Sequence, residues 1–496
     1  MQIPRVMSTQ HPDNVSLPFF AEHADMAGED EIQEAYYAFS HLGCDEQMWD
    51  SEGKEVDDFV VKKLLTKYPN FFKKKKLGRD VFITLRIPNP TVEKEEAKIL
   101  VEALESIPRS MDAAKVFYNS PYPPIFEVIL PMTTSAKELN RVYYFYKNFI
   151  SGKQYQKIYE KDITVAEWVG EFLPETINVI PLFEDVHSLF NVDKILSEYL
   201  KDKSFKYLRV FLARSDPAMN YGMISAVLAI KIALKKLEKI SIEKEIEIYP
   251  ILGAGTPPFR GNLSPYTVNK VLTEYSSVET FTVQSAFKYD FPIEDVITAI
   301  KKLKNFIRHP LEDIDEKFCR RIIEKFSKEY HILVVPLAPA INEIAKYIPK
   351  RRMRKLHIGL FGYSRSVRGV TLPRVINFCA ACYSIGLPPE LLGLSCLTKE
   401  ELQELKRIYK NLEYDLSIAL QYFNPKCLEL LPEEIKNKII KSLELLNSLD
   451  IKYKTHMEHK EVTTNILKNL KKGIISNLGE LLIEACLLYT SPSPRD

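Results

Sequence analysis

The sequence predicts an α/β protein organised around a closed (β/α)8 barrel of the TIM type, with additional α-helices on its N-terminal and C-terminal sides. Short apolar runs rich in strand-forming residues recur along the chain, and each is followed by an amphipathic or charged stretch typical of a helix. Strands and helices that alternate in this way form parallel sheets through right-handed crossovers. A count of eight runs favours a closed barrel over an open doubly wound sheet. The predicted strands are residues 80–89, 125–132, 177–184, 207–216, 246–255, 280–288, 356–362 and 391–397.

The same pattern predicts the division of the chain into segments. Residues 1–79 form an N-terminal segment of polar turns and helices that packs on the barrel, which itself occupies residues 80–398. Within the barrel, the connection from about 289 to 355 is too long for one helix, so we expect a helical insertion there. Residues 399–488 lack strand-like runs and are rich in Leu, Glu and Lys, which predicts a helical extension. Residues 489–496, YTSPSPRD, differ sharply in composition and are interpreted as an extraneous or disordered tail.

The charge balance and the distribution of apolar residues exclude several classes of protein. The chain has 68 basic and 66 acidic residues and a formal net charge of +2, so we expect no nucleic-acid partner. The first residues lack the pattern of a signal peptide, and no stretch reaches about 18 consecutive apolar residues. We therefore expect a cytoplasmic protein that does not bind a membrane.

The seven cysteines do not suggest a disulfide framework, because their number is odd and they are scattered. Cys379 and Cys382 form a single CxxC within a predicted helix. A metal site would need a second pair or a nearby histidine. We interpret the two cysteines as packed thiols.

Two acidic residues follow neighbouring predicted strands. The run INVIPLFE ends on Glu184, and the run YLRVFLARSD ends on Asp216. In barrel enzymes, chemistry takes place at the C-terminal ends of the strands. Mg²⁺ is usually held by one or two carboxylates, while substrate oxygens and waters complete its octahedron. The positions of Glu184 and Asp216 therefore predict that the two side chains share one hard cation.

Cationic residues follow other predicted strands. They are Arg86, Arg260 in the loop GAGTPPFRGN, Lys288, and Arg365 in the loop GYSRSVRG. With the two acids they would suit an anionic substrate bound through a metal, such as a phosphorylated carboxylate, and Lys288 is one of the candidate substrate ligands. The alternative is that charges collect at strand ends because loops are polar. The acids on consecutive strands and most of the cations on later ones favour a site.

A polar, turn-forming segment near the N-terminus, STQHPDN, contains a histidine. Pro12 restricts His11 to extended conformations, and the side chains of Asp13 and Asn14 can stabilise turns. Imidazole is the side chain best suited to move a proton near neutral pH. His11 is therefore either an ordinary surface residue or a catalytic one.

Several strings, in order along the chain, resemble the short, archaeal-type phosphoenolpyruvate carboxylases. The resemblance spans residues 1 to about 485 and implies a (β/α)8 barrel with additional helices. It also implies conversion of phosphoenolpyruvate and bicarbonate, with Mg²⁺ or Mn²⁺, into oxaloacetate and phosphate through carboxyphosphate and the enolate of pyruvate, by a homotetramer. The matching strings are MSTQHPDN, FSHLGCDEQMWDSEGKEVDDFVVKKLL, RIPNPTVEKEEAKIL, VIPLFED, LARSDPAMNYGMISA, PPFRGN, TVQSAFKYD and HIGLFGYSRS.

The resemblance also implies roles for individual residues. Glu184 and Asp216 are similar to the metal ligands of the family. Arg260 is similar to the arginine that meets the phosphate and shields carboxyphosphate, and His11 to the histidine that assists the steps around that intermediate. Arginines that line the site or its neighbourhood are matched by Arg86, Arg365 and Arg374.

Two positions depart from the longer bacterial and plant enzymes of the family. Ala254 stands where their glycine-rich loop has an arginine, so one phosphate contact must come from elsewhere. Met219 stands in place of a lysine.

Two other functions share some of these features. A metal-dependent barrel lyase or mutase acting on phosphoenolpyruvate or a 2-oxo acid would share the carboxylates and arginines but would not need bicarbonate. A non-catalytic barrel that regulates a partner would bind an anionic metabolite without turnover.

Overall fold

Eight parallel strands form a closed barrel in chain order in the computed structural model, which confirms the predicted fold class. The first strand pairs with the eighth, with Val6 opposite Phe281 and Ser8 opposite Val283. The structure describes residues 3–51, 57–94, 97–119, 121–352, 365–367, 369–474 and 476–490. The strands are β1 Val6–Ser8, β2 Glu46–Asp50, β3 Phe82–Arg86, β4 Glu127–Leu130, β5 Asn178–Phe183, β6 Tyr207–Ala213, β7 Glu247–Gly253 and β8 Thr280–Val283.

Helices surround the barrel and continue beyond it. The helices up to and including the one directly after β8 are α1 Glu29–Tyr37, α2 Val60–Lys67, α3 Pro69–Lys74, α4 Ala97–Phe117, α5 Ala136–Phe145, α6 Val165–Val169, α7 Val186–Phe190, α8 Val192–Tyr199, α9 Ser215–Tyr221, α10 Met223–Glu243, α11 Val268–Glu274 and α12 Ser285–Tyr289. Those that follow are α13 Ile293–Asn305, α14 Glu316–Ala345, α15 Val375–Ser384, α16 Lys399–Ile408, α17 Leu412–Gln421, α18 Glu433–Asn447, α19 Met457–Lys472 and α20 Leu478–Thr490. Between α14 and α15, β9 Arg365–Val367 and β10 Val370–Leu372 form an antiparallel pair.

Six of the predicted strands overlap β3 to β8, although the predicted strand 280–288 ends at Val283 and continues as α12. The barrel is completed by β1 and β2, which lie in the segment where no strand was predicted. The reason is that neither strand is an apolar run. The first has three residues, and the second, EQMWD, begins and ends with carboxylates. Both carboxylates are paired with arginines of other strands, Glu46 with Arg209 and Asp50 with Arg86, so the barrel tolerates them.

The last predicted strand, residues 391–397, is not a strand in the structure. Residues 391–397 were wrongly predicted, because this stretch forms the short 3₁₀ turns Pro389–Leu391 and Leu394–Cys396 around Gly393, whose φ is 105°. A short apolar run that is buried on all sides does not distinguish a strand from a helical turn. The other predicted strand, residues 356–362, lies outside the described residues.

The barrel interior has an apolar layer above a polar base. Met7, Met48, Ile129, Ile180, Leu182, Phe211, Ala213 and Ile251 form the apolar layer. Below it, Arg209 donates to Glu46 at 2.7 Å from each terminal nitrogen and to Glu127 at 3.0 Å. Both glutamates are the first residues of their strands, which places this cluster at the N-terminal end of the barrel, where side chains support stability.

In the described residues after the barrel, helices predominate and are joined by short 3₁₀ turns, loops such as residues 306–315 and 451–456, and the β9–β10 pair. The residues after α12 form α13 and the long α14, which packs along α10, and α15 packs against both α14 and α20. Within the described ranges, no single helix is long and apolar enough to cross a membrane, and one bent pair, Val375–Ser384 with Pro389–Cys396, meets that test by length and composition. Burial raises the pKa of the Cys379 and Cys382 thiols, which supports their interpretation as packed groups.

Candidate active site

Glu184 and Asp216 lie at the same rim of the barrel. Glu184 directly follows β5, and Asp216 lies in the first turn of α9, just beyond β6. These two strands are neighbours, with Phe183 opposite Leu212. Because the strands are parallel, both acids are at the carboxyl ends, where barrel enzymes place their chemistry.

The orientation of Glu184 is fixed by the adjacent strand. Its Oε2 accepts the backbone N–H of Met132 at 2.7 Å, and Met132 has a φ of 51°, a conformation that non-glycine residues rarely adopt. Asp185 has a different function, since its Oδ1 accepts the N–H of Ser188 at 2.9 Å and caps α7. Because the Asp185 carboxylate caps a helix, Glu184 is the acid of VIPLFED that is available to bind a ligand at the rim.

The donor set at this rim fits a hard divalent cation. In the described part of the chain, no group of three or more His, Cys, Asp or Glu side chains is arranged to hold a metal ion. Mg²⁺ does not require such a group, because one or two carboxylates suffice when substrate oxygens and waters supply the remaining ligands. Glu184 and Asp216 are two oxygen donors of this kind, and Glu184 already has the hydrogen bond that orients a ligating carboxylate.

Arg260 is buried in a short 3₁₀ turn, Pro258–Arg260, beyond β7. Its Nη1 donates to Asp13 Oδ2 at 2.9 Å, and its Nη2 donates to Gln284 Oε1. Gly255 packs against the guanidinium, since a Cβ at this position would lie 2.6 Å from Arg260 Cζ. The loop therefore needs glycine at 255 for close approach, and the arginine is held in one orientation.

His11 lies on the loop that follows β1, and this loop meets the Arg260 loop through Asp13. The His11 Nδ1 is 3.0 Å from the hydroxyl of Thr9, and the His11 carbonyl accepts the N–H of Ser285 at 3.2 Å. Beyond the histidine, Asp290 accepts the N–H groups of Val15 and Ser16, with its shortest bond at 2.8 Å. The structure thus brings the predicted histidine and the predicted phosphate arginine to neighbouring loops.

The other predicted cations have different positions. Arg86, the last residue of β3, is paired in bidentate fashion with Asp50, the last residue of β2, at 2.7 and 2.8 Å. Arg374 is half-buried at the N-cap position of α15. The backbone of Arg365 lies in β9, and its side chain is outside the described part of the chain.

Lys288 points into a buried ion cluster. Its Nζ donates to Glu34 at 2.8 Å and to Ser8 Oγ and the Thr9 carbonyl at 3.0 Å each. Burial lowers the pKa of Lys288, which Glu34 opposes. Burial alone would raise the pKa of Glu34, but Arg352 and Lys288 hold it far below its usual range. The lysine therefore supports the start of the His11 loop.

Two acidic residues of the C-terminal helical region accept hydrogen bonds from residues on either side of Arg260. Glu390 accepts the N–H of Phe259 at 2.7 Å and the hydroxyl of Tyr383 at 2.8 Å. Asp415 accepts the side-chain amide of Asn262 at 2.6 Å. Sequence reasoning did not identify these supporting acids, nor Asp50, Gln284 or Asp290. Asp13 was interpreted only as a turn former, because its partner is 247 positions away.

Burial raises the pKa of Glu390, Asp415 and Asp290 to about 7 each. A folded-state pKa above the unfolded value gives a stabilising contribution that is complete below the unfolded pKa and is lost as the pH rises through the folded pKa. We therefore expect these three groups to raise the thermal unfolding temperature at pH 5, and we expect this effect to decline as the pH rises to 8. Glu34, with its depressed pKa, does not change charge in this window.

The Asp415→Asn variant isolates one of these groups, because its amide does not titrate. Calorimetry across this range should show that the unfolding temperature of the wild type, relative to that of Asp415→Asn, falls between pH 5 and pH 8. A difference that is the same at every pH would contradict the prediction.

The structure shows a closed parallel barrel with acidic and cationic residues at its carboxyl-end rim, and comparison with known proteins identifies the family. A family model described as phosphoenolpyruvate carboxylase matches residues 3–491. Three relatives carry the name phosphoenolpyruvate carboxylase. That of Methanospirillum hungatei JF-1 is 51% identical over 98% of both chains. That of Methanothermobacter thermautotrophicus is 52% identical over 98% of both chains. That of Pyrococcus furiosus is 55% identical over 86% of this chain and 90% of the relative. The chain belongs to the phosphoenolpyruvate carboxylase family.

Proposed function

We propose that this chain catalyses the reaction of phosphoenolpyruvate with bicarbonate to give oxaloacetate and phosphate. The observation that carries the proposal is the family match, which extends over residues 3–491. The site supports it, because Arg260 and the acids Glu184 and Asp216 all follow strands at the carboxyl ends of one barrel. A phosphorylated carboxylate needs both cationic and metal-mediated contacts, and this rim offers the residues for each.

Arg260 is proposed to bind the phosphoryl group. A bicarbonate oxygen attacks the phosphorus, the bond from phosphorus to the enol oxygen breaks, and carboxyphosphate and the enolate of pyruvate form. The planar fork of an arginine binds the oxygens of such a group in bidentate fashion. Since Asp13 and Gln284 fix the guanidinium, its orientation does not have to be established during the reaction.

His11 is proposed to hold the proton that bicarbonate loses when carboxyphosphate forms. Carboxyphosphate then breaks down to CO₂ and phosphate, the phosphate takes the proton back from His11, and the enolate carbon attacks the CO₂. Imidazole can hold and return a proton near neutral pH. Its loop is fixed on both sides, by Ser285 and Asp290, which favours a defined position for the ring.

Glu184 and Asp216 are proposed to hold Mg²⁺ or Mn²⁺. When bound, the cation supplies Lewis-acid stabilisation of the enolate oxygen. The hydrogen bond from the Met132 N–H to Glu184 keeps that carboxylate turned in a single direction.

The remaining predicted residues divide into two groups. Arg86, Arg365 and Arg374 are proposed to contribute to substrate binding around the rim, and Asp50 to orient Arg86 through its two hydrogen bonds. Lys288 was predicted as a substrate ligand. Because its hydrogen bonds go to Glu34, Ser8 and Thr9, we propose instead that it supports the His11 loop.

A cytoplasmic homotetramer is the proposed working state. Residues 149–169 support the oligomer, because this segment exposes Tyr155 and Trp168 to 67% and 69%, and exposed aromatic surface of this kind marks contact sites. Sedimentation velocity is expected to give a mass about four times that of the chain.

The proposed reaction is tested by coupling oxaloacetate formation to malate dehydrogenase, in the presence of Mg²⁺, with and without bicarbonate. We expect oxaloacetate only when phosphoenolpyruvate and bicarbonate are both present. Steady release of pyruvate or phosphate regardless of bicarbonate, without oxaloacetate, would overturn the proposal in favour of a lyase or hydrolase.

A further inference from the structure

Asp13 connects three parts of the structure through one carboxylate. Its Oδ2 accepts a hydrogen bond from Arg260 Nη1 at 2.9 Å, and its Oδ1 accepts the N–H of Ala286, at the start of α12, at 2.7 Å. The side chains of Asp13 and Arg260 are only 4% and 3% exposed. A charged pair this deeply buried is strongly directional, because water cannot replace either partner.

The guanidinium of Arg260 is confined on its other sides. Gln284 accepts from Nη2, and the guanidinium lies against Gly255, where a Cβ would be 2.6 Å from its Cζ. Gln284 is neutral, so Asp13 supplies the charge in this arrangement. If that charge is removed, the guanidinium keeps its packing but loses the partner that sets its direction.

The position of Asp13 in the chain makes the contact more than a local one. Asp13 is two residues after His11, on a loop whose carbonyl at His11 accepts the N–H of Ser285. The far side of the same loop is held separately by Asp290, which does not bind Arg260. Asp13 is thus the link between the histidine loop and the arginine, whereas Asp290 anchors the loop alone.

We propose that Asp13 is a positioning residue that aligns Arg260 for the phosphoryl group and sets its distance from His11. The inference rests on the proposed function of Arg260 and His11, and it assigns to the sequence HPD a second role besides carrying the histidine. Asp13 does not touch the substrate in this proposal. It acts through the arginine.

The Asp13→Asn variant tests the link while preserving the size of the side chain. Arg260 and the Ala286 N–H donate to different oxygens of Asp13, and asparagine keeps an oxygen at only one of these two positions, so it can accept only one of the two bonds in the same geometry. We expect kcat/KM for phosphoenolpyruvate to fall about 10- to 100-fold, the usual cost of losing a hydrogen bond to a charged group. Binding of inorganic phosphate, measured by titration calorimetry, is expected to weaken in parallel.

Asp290→Asn is the matched control, because it weakens the anchor of the same loop without altering the contacts of Arg260. This variant is expected to leave phosphate affinity within about twofold of the wild type. If Asp13→Asn and Asp290→Asn weaken phosphate binding equally, Asp13 only stabilises the loop and the proposal is wrong.

A double-mutant cycle with Arg260→Gln further distinguishes an effect of Asp13 through Arg260 from an effect of Asp13 on loop stability. If Asp13 acts through the arginine, adding Asp13→Asn to Arg260→Gln should change phosphate affinity by less than about twofold. Full additivity of the two effects would overturn the proposal. Phosphate binding does not depend on turnover, so a wild type that binds phosphate but forms no oxaloacetate would contradict the proposed reaction and leave the test of Asp13 readable.

Discussion

The Glu184→Ala variant is expected to lose bicarbonate-dependent oxaloacetate formation by about 100-fold or more. Lewis-acid stabilisation of developing charge accounts for several kcal/mol in metal-dependent enzymes, and each 1.4 kcal/mol is about a factor of ten in rate. The variant removes one of the two proposed carboxylate ligands and also leaves the N–H of Met132 without its acceptor. The coupled oxaloacetate assay measures the rate, and calorimetric titration with Mn²⁺ is expected to show weakened binding.

Asp185→Ala is the control for this variant, because it removes the neighbouring carboxylate from the same sequence. Asp185 caps α7, so its loss is expected to cost about 1 kcal/mol of stability. Activity and Mn²⁺ affinity should stay close to those of the wild type. Equal loss of activity in the two variants would show that Glu184 acts only through the local structure.

The Arg209→Leu variant is expected to have the largest effect on stability. Arg209 pairs with both Glu46 and Glu127 at the base of the barrel, where the Arg209 and Glu46 side chains are fully buried. Removing one partner of a buried ion cluster leaves uncompensated charge and costs about 3–5 kcal/mol. Chemical denaturation at pH 7, followed by circular dichroism, should show this loss.

A triple variant with Glu46→Met, Glu127→Leu and Arg209→Leu is the informative comparison. Replacing a complete buried ion cluster by apolar residues of similar size is often neutral or stabilising. The triple variant is therefore expected to be more stable than Arg209→Leu alone. If it is less stable, the cluster contributes net stability beyond the pairing of its charges.

The sequence revealed those parts of the fold that follow from local pattern. Strands β3 to β8 were predicted because most of their residues are apolar and helices follow them. The second strand could not be found in this way, because Glu46 and Asp50 resemble loop residues until their arginine partners are known. Pairings between distant strands are a property of the closed barrel and leave no periodic signal in a single sequence.

The same limit applies to the candidate site. The strand-end positions of Glu184, Asp216 and Arg260 followed from short spacings, and the structure places all three at the expected rim. A spacing predicts where a residue lies, but it does not predict where a long side chain points. Lys288 shows the difference, since it was predicted at the end of a strand but lies in α12 and reaches back to Glu34 and Ser8, the last residue of β1.

The pairing of β1 with β8 affects how the protein can fold while it is being synthesised. The strand of residues Val6–Ser8 leaves the ribosome early, but its partner Phe281–Val283 follows about 270 residues later. At about 5–20 residues per second, this interval lasts roughly 15 to 55 s. During translation the edges of the growing sheet stay open. The His11 carbonyl cannot accept the N–H of Ser285 until the residues after the last barrel strand have been made. The nascent chain therefore exposes unpaired strand edges, which are prone to aggregate, throughout that interval.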